Sequence, residues 1–308
     1  MISAYWLEIL TMAGIMSIAA LGLYAIKATG QLSAGHAAFM GLGGYASGVV
    51  TGKLGLPFFL SFVVAVALVL VVATAFAYMT SRLRFFYQAV GTLAFGETLV
   101  LVMYNVPYFG GASGLQPIPL QTTFTLVYAI LGLSIYFFIR FEHSRLGQAF
   151  RCVWEDDTVA ASMGIDVTKT RILSFTMGSA FAALAGVLYA HFLGIIEPKD
   201  LDFLRSLTLL IFVAFGGLET HWGALFGTYV LTLLPEVARF SVYDRYTIYG
   251  ALIVVTMVVR PKGLLTRKPL GAPDGPIARV GMPLLRVLAA VLPVGRRAAK
   301  AKARAERP

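Results

Sequence analysis

The 308-residue chain is 58% hydrophobic and 13% charged, with a mean hydropathy of +0.79, where a soluble domain carries about twice that charge. It belongs in a bilayer, which excludes a soluble globular enzyme. The net charge of +10 does not point to nucleic acid: twelve of the 25 Lys and Arg residues lie from Arg260 onward, as in a cytoplasmic tail facing an anionic leaflet.

The apolar runs are unbroken rather than alternating, which argues for helices and against a barrel. At roughly twenty apolar residues per span, nine segments read as transmembrane helices: 5–26, 31–52, 57–79, 86–106, 121–139, 172–194, 203–218, 223–240 and 244–260. The glycine-rich 31–52 and the short 203–218 are the weakest, and one of them read as re-entrant makes the count eight. No Lys or Arg precedes Lys27, so the first segment reads as a retained span, not a cleaved signal peptide. With the N-terminus outside, Lys27, Arg82, Arg84, Arg140, Arg145, Arg151, Lys169, Arg171 and the twelve tail cations fall inside. Only Lys53, Lys199, Arg205, Arg239 and Arg245 fall outside, as the positive-inside rule requires. The expected fold is an all-α polytopic membrane protein of eight or nine helices, N-terminus outside and C-terminus cytoplasmic.

Along the chain, Gln31, Ser33 and His36 open the second segment, ahead of glycines that suit close helix packing or a broken helix facing a ligand. In the fourth segment Glu97 sits mid-span with Thr92 nearby; a carboxylate there must face water or a partner. It reads as lining or gating a pathway, against a purely structural hydrogen bond. Gly110 to Gly114, with Gly111 and Gly114 as landmarks, forms a short outer loop.

A polar island, 140–171, interrupts the apolar pattern. Leu146, Ala149, Phe150, Val153 and Trp154 recur at three and four residues, predicting an amphipathic helix that Ser144 can cap. Asp157 or Thr158 can cap a second, shorter helix through Ala160, Ala161 and Met163, which Gly164 ends in a left-handed turn. Glu155, Asp156 and Asp157 sit at its positive end. Such a piece suits docking by a soluble partner. Further on, Glu197, Asp200 and Asp202 form an acidic outer loop, and Glu236 follows Pro235 in the eighth segment. From Lys268 the tail is Pro- and Gly-rich, then apolar, then basic, and reads as lying on the membrane surface. The single Cys152 allows neither an internal disulfide nor a Cys-based metal cage, the four histidines lack ligand spacing, and no P-loop occurs.

Six motifs in order resemble the second (M-type) permease subunit of ABC importers for branched-chain amino acids. They are Gly30-Gln31-Leu32-Ser33-Ala34-Gly35-His36-Ala37-Ala38-Phe39, Thr92-Leu93-Ala94-Phe95-Gly96-Glu97, Gly110-Gly111-Ala112-Ser113-Gly114-Leu115, and Glu155-Asp156-Asp157 through Ala160-Ala161-Ser162-Met163-Gly164-Ile165. The last two are Gly216-Gly217-Leu218 with Trp222-Gly223, and Arg260-Pro261-Lys262-Gly263-Leu264-Leu265. Glu219 and His221 depart from the pattern, which has small or apolar residues there. The resemblance implies a permease domain over 1–265, whose 140–171 loop docks on an ATPase through Glu155, Asp156, Asp157, Ala160, Ala161 and Gly164, and a basic cytoplasmic tail over 266–308. It implies a second permease, two cytoplasmic ATPases that bind ATP and Mg, and a periplasmic binding protein that Gly111, Gly114, Glu197, Asp200 and Asp202 would meet. The chain itself would hold no metal or cofactor, do no covalent chemistry, and line the translocation pathway with Gln31, Ser33, His36, Thr92 and Glu97 in a bacterial inner membrane. Rival readings are the same architecture importing urea, short amides or another small polar solute; an ion-coupled secondary transporter, which predicts inverted repeats; and an intramembrane enzyme, which needs a clustered constellation.

Overall fold

The structure is a computed structural model that describes residues 4–83, 85–238, 249–250, 254 and 264. Its α-helices, in chain order, are α1 (Ala4–Lys27), α2 (His36–Gly48, prolonged by a π-helical turn, Val49–Lys53), α3 (Phe58–Thr80), α4 (Phe85–Asn105) and α5 (Phe124–Glu142). Then come the short α6 (Arg145–Glu155) and α7 (Asp157–Ser162), followed by α8 (Val167–Leu193), α9 (Phe203–Gly216) and α10 (His221–Ala238). Among the described residues no strand forms, and Leu115 and Ile196 make an isolated antiparallel bridge.

Burial sorts the helices into two layers. The apolar stretches of α1 and α8 are 83% and 67% buried, against 22%, 17% and 22% for α3, α4 and α5. The buried α2 packs on α8, which also packs on α1 and α3. Glycine makes that contact possible: a Cβ at Gly186 would lie 1.7 Å from the Met40 carbonyl oxygen, and one at Gly43 2.7 Å from the Ala183 Cα. Lipid offers membrane helices no hydrophobic drive to associate, so small residues that let backbones touch hold such pairs. Phe39, Phe76, Phe95 and Phe175 then tie α2, α3, α4 and α8 together, with Phe39 5.3 Å from Phe95 and 5.4 Å from Phe175 between ring centres.

Among the described residues five helices, α1, α3, α4, α5 and α8, are long and apolar enough to cross a membrane; α9 and α10, bent by 116° at their junction, make a sixth if taken as one span. The two segments weakest in the sequence fall on α2 and α9. At 1.5 Å per residue, the 14 residues of α9 reach only about 21 Å and the 13 of α2 with the 5 of its π-helical turn at most about 27 Å, against a hydrocarbon core of about 30 Å. The expected span over 244–260 lies outside the described residues except for Tyr249, Gly250 and Val254. So does the 260–265 motif except for Leu264, and the whole 266–308 tail.

Cross-contacts define the two ends of the bundle. At one, Lys27 Nζ lies 3.8 Å from the Trp154 ring centre and Gln31 reaches the Arg171 carbonyl. At the other, Thr51 Oγ1 meets His191 Nε2 at 3.0 Å, and the Leu115 and Ile118 amides donate to the Ile196 and Gly194 carbonyls, both at 2.9 Å. Beyond α8 the chain folds back into the bundle: Leu201 packs against Gly41 of α2, and the Phe203 amide meets Glu97 of α4. Thus α9 begins part-way down the bundle.

Candidate functional site

The polar segment is built from three capped helices. Ser144 Oγ accepts from the Gly147 amide at 3.1 Å and starts α6, as the sequence predicts. The cap of α7 differs from the expectation. Asp156, and neither Asp157 nor Thr158, takes that place, with Oδ1 accepting from the amides of Thr158 (2.7 Å) and Val159 (3.1 Å). The reason is the break after Glu155, which leaves Asp156 alone in extended backbone, where its short carboxylate reaches the next two amides. These bonds, Val159 foremost, hold the Asp156 carboxyl below its usual pKa. Asp157 instead pairs with Arg171 of α8 at 2.6 Å. Gly164, at φ 81°, closes the helix as expected, and the Ile165 amide donates back to the Ala160 carbonyl at 3.1 Å. Asp166 caps α8 through the Lys169 amide at 3.0 Å.

What this segment shows to solvent is mixed. Phe150 and Val153 are buried, whereas Leu146, Trp154, Val159 and Met163 are exposed, Met163 at 72%. Glu155, Asp156, Asp157, Ala161 and Gly164 are exposed as well. Ala160 is fully buried, so its methyl faces the protein rather than the outside.

Beneath α6 lies a polar cluster the sequence does not reveal. Glu142, at the end of α5, accepts on Oε1 from Tyr24 of α1 (2.6 Å) and lies 2.9 Å from His221 Nδ1 of α10, while Oε2 faces Arg151 of α6 at 3.4 Å. One carboxylate therefore joins α1, α5, α6 and α10. The only signal was His221 itself, a departure from the resembled pattern whose partner is 79 residues away.

The residues expected to line a pathway are packed into the bundle. Gln31 donates to Thr29 and to the Arg171 carbonyl, both at 2.8 Å, and accepts from Gln88. Thr92 Oγ1 accepts from the Ala34 amide at 2.9 Å, and His36 Nε2 lies 3.0 Å from the Ala19 carbonyl oxygen. Ser33 and His36 are fully buried, with Ser33 Oγ and His36 Nδ1 lacking partners. Glu97 is half-buried, and its Oε1 accepts from the Phe203 amide at 3.3 Å, at the head of α9.

The 110–114 and 194–202 loops fold on one another. Gly110, Gly111 and Gly114 all take positive φ, and a Cβ at Gly114 would meet the Ile196 carbonyl oxygen at 2.4 Å. Glu197 pairs with Lys199 at 2.5 Å. Asp200 accepts from Tyr189 Oη (2.8 Å) and from the Glu197 amide (3.0 Å). Asp202 caps α9 through the Phe203 amide at 2.5 Å. None of the three acids is fully exposed. Glu236 of α10 meets Tyr5 of α1.

A layered bundle of apolar helices, with a bent half-helix pair and a capped polar segment at one end, is the build of an integral multi-pass membrane protein. The family can be given as well: the chain belongs to the branched-chain amino acid transport system permease component family, whose model matches residues 5–259. Among curated relatives, it is 27% identical to the high-affinity branched-chain amino acid transport system permease protein LivM of Salmonella typhimurium, over 89% of this chain and 74% of that one. It is 25% identical to the probable LivM of Methanocaldococcus jannaschii over 70% of each chain. A shorter match, 30% identical over 48% of each chain, links it to the permease protein LivH of Escherichia coli. No solved structure matches the chain.

Proposed function

We propose that the chain is the membrane-spanning permease subunit of an ATP-driven ABC importer. It forms half of the translocation pathway for branched-chain or related hydrophobic amino acids delivered by a periplasmic binding protein. A second permease completes the pathway, and two cytoplasmic ATPases bind ATP and Mg and hydrolyse the nucleotide; this chain carries no cofactor. It resides in a bacterial cytoplasmic membrane with eight or nine spans, its N-terminus outside and its 140–171 segment inside. Family membership supports the transport role and cargo class, and relatives of both the LivM and LivH kinds support a permease pair.

The observation that carries the ATPase reading is the surface of α6 and α7. Leu146, Trp154, Val159 and Met163 are exposed on a segment that also bears Glu155, Asp156 and Asp157. Apolar side chains grouped within a charged, solvent-facing segment form a docking surface. Glu142 connects that surface to α1, α5 and α10, so a push on α6 reaches the bent pair directly. Of the pathway candidates, Glu97 acts through the head of α9, whereas Gln31, His36 and Thr92 hold the α2 entry against its neighbours, with Ser33 buried beside them. The outer loops, tied together at Leu115 and Ile196, offer the binding protein a rigid face.

Co-purification tests this. Wild-type chain is expected to carry its ATPase subunits through detergent extraction, and Val159→Lys with Met163→Glu to lose them while its melting temperature is unchanged. Wild-type chain that recruits no ATPase would end the importer reading.

A further inference from the structure

Glu219 and His221 stand out against the resembled permease pattern, because they put ionisable side chains where it has small or apolar ones. Both sit at the junction of α9 and α10, where the chain bends by 116°. Each leads to α6 by a different route. His221 Nδ1 lies 2.9 Å from Glu142 Oε1 at the end of α5, and Glu142 Oε2 faces Arg151 of α6 at 3.4 Å. Glu219 lies within electrostatic reach of Lys27 at the end of α1, and the Lys27 ammonium sits 3.8 Å from the centre of the Trp154 ring on α6.

The first tie is enclosed, with side-chain exposures of 5% for His221 and 14% for Glu142. Glu142 Oε1 also accepts from Tyr24 Oη at 2.6 Å, and the His221 ring packs against those of Tyr24 and Trp222, 6.4 and 5.0 Å away between centres. Attraction between charges strengthens as water is excluded; an enclosed pair adds little net stability over apolar packing, but it fixes which groups meet. Beyond the turn, α9 and α10 are packed backbone on backbone. A Cβ at Gly216 would lie 1.8 Å from the Gly223 carbonyl oxygen, and one at Gly227 2.1 Å from that of Phe212. Such close contact makes the two helices one body. Its far end is the head of α9, where the Phe203 amide donates to Glu97 of α4 at 3.3 Å.

We propose that Glu219 and His221 are positioning residues that gear the α9–α10 pair to α6, so that a displacement of α6 is carried to the head of α9 and uptake stays coupled to hydrolysis. This deepens the importer reading and rests on it. The gearing belongs to this chain in particular, since it is built from the two residues that leave the resembled pattern. Neither tie is needed to shield a charge. Without His221, Glu142 keeps Tyr24 and Arg151; without Glu219, Lys27 keeps the Trp154 ring. Removing both residues therefore frees the turn while the bundle stays intact.

The test uses the assembled transporter in proteoliposomes with its binding protein, reading radiolabelled leucine taken up and ATP hydrolysed in the same sample. In Glu219→Ala with His221→Leu, leucine moved per ATP is expected to fall about fivefold, the lower end of coupling between two sites. Hydrolysis stimulated by the binding protein and the melting temperature are expected to stay at wild-type values. Each single change gives part of that loss. His221→Asn, whose side-chain amide donates to Glu142 from the place of Nδ1, is expected to keep most of the coupling. An unchanged ratio in the double variant would overturn the gearing. So would uptake and hydrolysis falling together with the melting temperature, which marks a structural role, or His221→Asn as uncoupled as His221→Leu. In each of these cases wild type that couples leucine uptake to hydrolysis leaves the importer reading standing. Wild type that recruits no ATPase overturns that reading, and the gearing with it.

Discussion

Two stretches of this molecule carry three acids each, and they meet opposite fates. Glu155, Asp156 and Asp157 remain exposed around α7, while Glu197, Asp200 and Asp202 turn inward at the head of α9. The difference lies in what each chain segment must do next. After Glu155 the backbone makes one short helix on the surface, and a single carboxylate, Asp156, satisfies its first amides. After Leu193 it re-enters the bundle and starts a helix beside Glu97 of α4, leaving a second set of first-turn amides to satisfy. Asp200, Asp202 and Glu97 supply acceptors there instead. Acidic residues in both loops thus cap helices, and those of the first stretch also stay exposed.

The sharpest way to break the comparison is to place a new carboxylate on each face of α7. Ala160→Glu buries a charge in a site with no space for it and should destabilise the segment by on the order of 3 kcal/mol, read as early proteolysis between α6 and α8. The same change one residue earlier, Val159→Glu, is exposed and should leave proteolysis unchanged. At the other end, Asp200→Ala removes the acceptor for Tyr189 Oη and for the Glu197 amide. It should lower stability by about 1–3 kcal/mol, seen as a lower melting temperature. Asp156→Ala should have the smallest effect, a loss of amide-exchange protection confined to Thr158 and Val159. The Asp156 cap should also depend on pH. Because its carboxyl titrates below the ordinary value of 3.8, the cap is fully present above that value and is lost as pH falls through the lower, folded-state pKa. Protection of Val159 that does not weaken in acid would contradict the cap.

Much of this was legible in the sequence. The long spans follow from runs of apolar residues, and the polar segment from Ser144, the spacing of Phe150 and Val153, and Gly164. These are local signals, each resolved within one or two turns of chain. What was not legible depended on distant contact. Glu142 and His221 meet across 79 residues, and Arg205 gave no sign of stacking on the Tyr189 ring. Apolar content marks 203–218 as membranous, but the inward return that shortens α9 comes from Leu201 packing on Gly41. Gln31 and Thr92 read equally well as pathway or packing residues, and partners such as Gln88 and the Ala34 amide supply the packing role in the fold.

The central claim, that α7 seats an ATPase, is tested most directly by cross-linking. In a Cys152→Ser background, Met163→Cys should form a short-range cross-link to a co-expressed ATPase subunit and resist an impermeant thiol reagent added outside intact cells. Ala112→Cys, in the loop after α4, should show the reverse. Labelling of Met163→Cys from outside, or a cross-link from Ala112→Cys in its place, would contradict both the docking surface and the orientation of the chain.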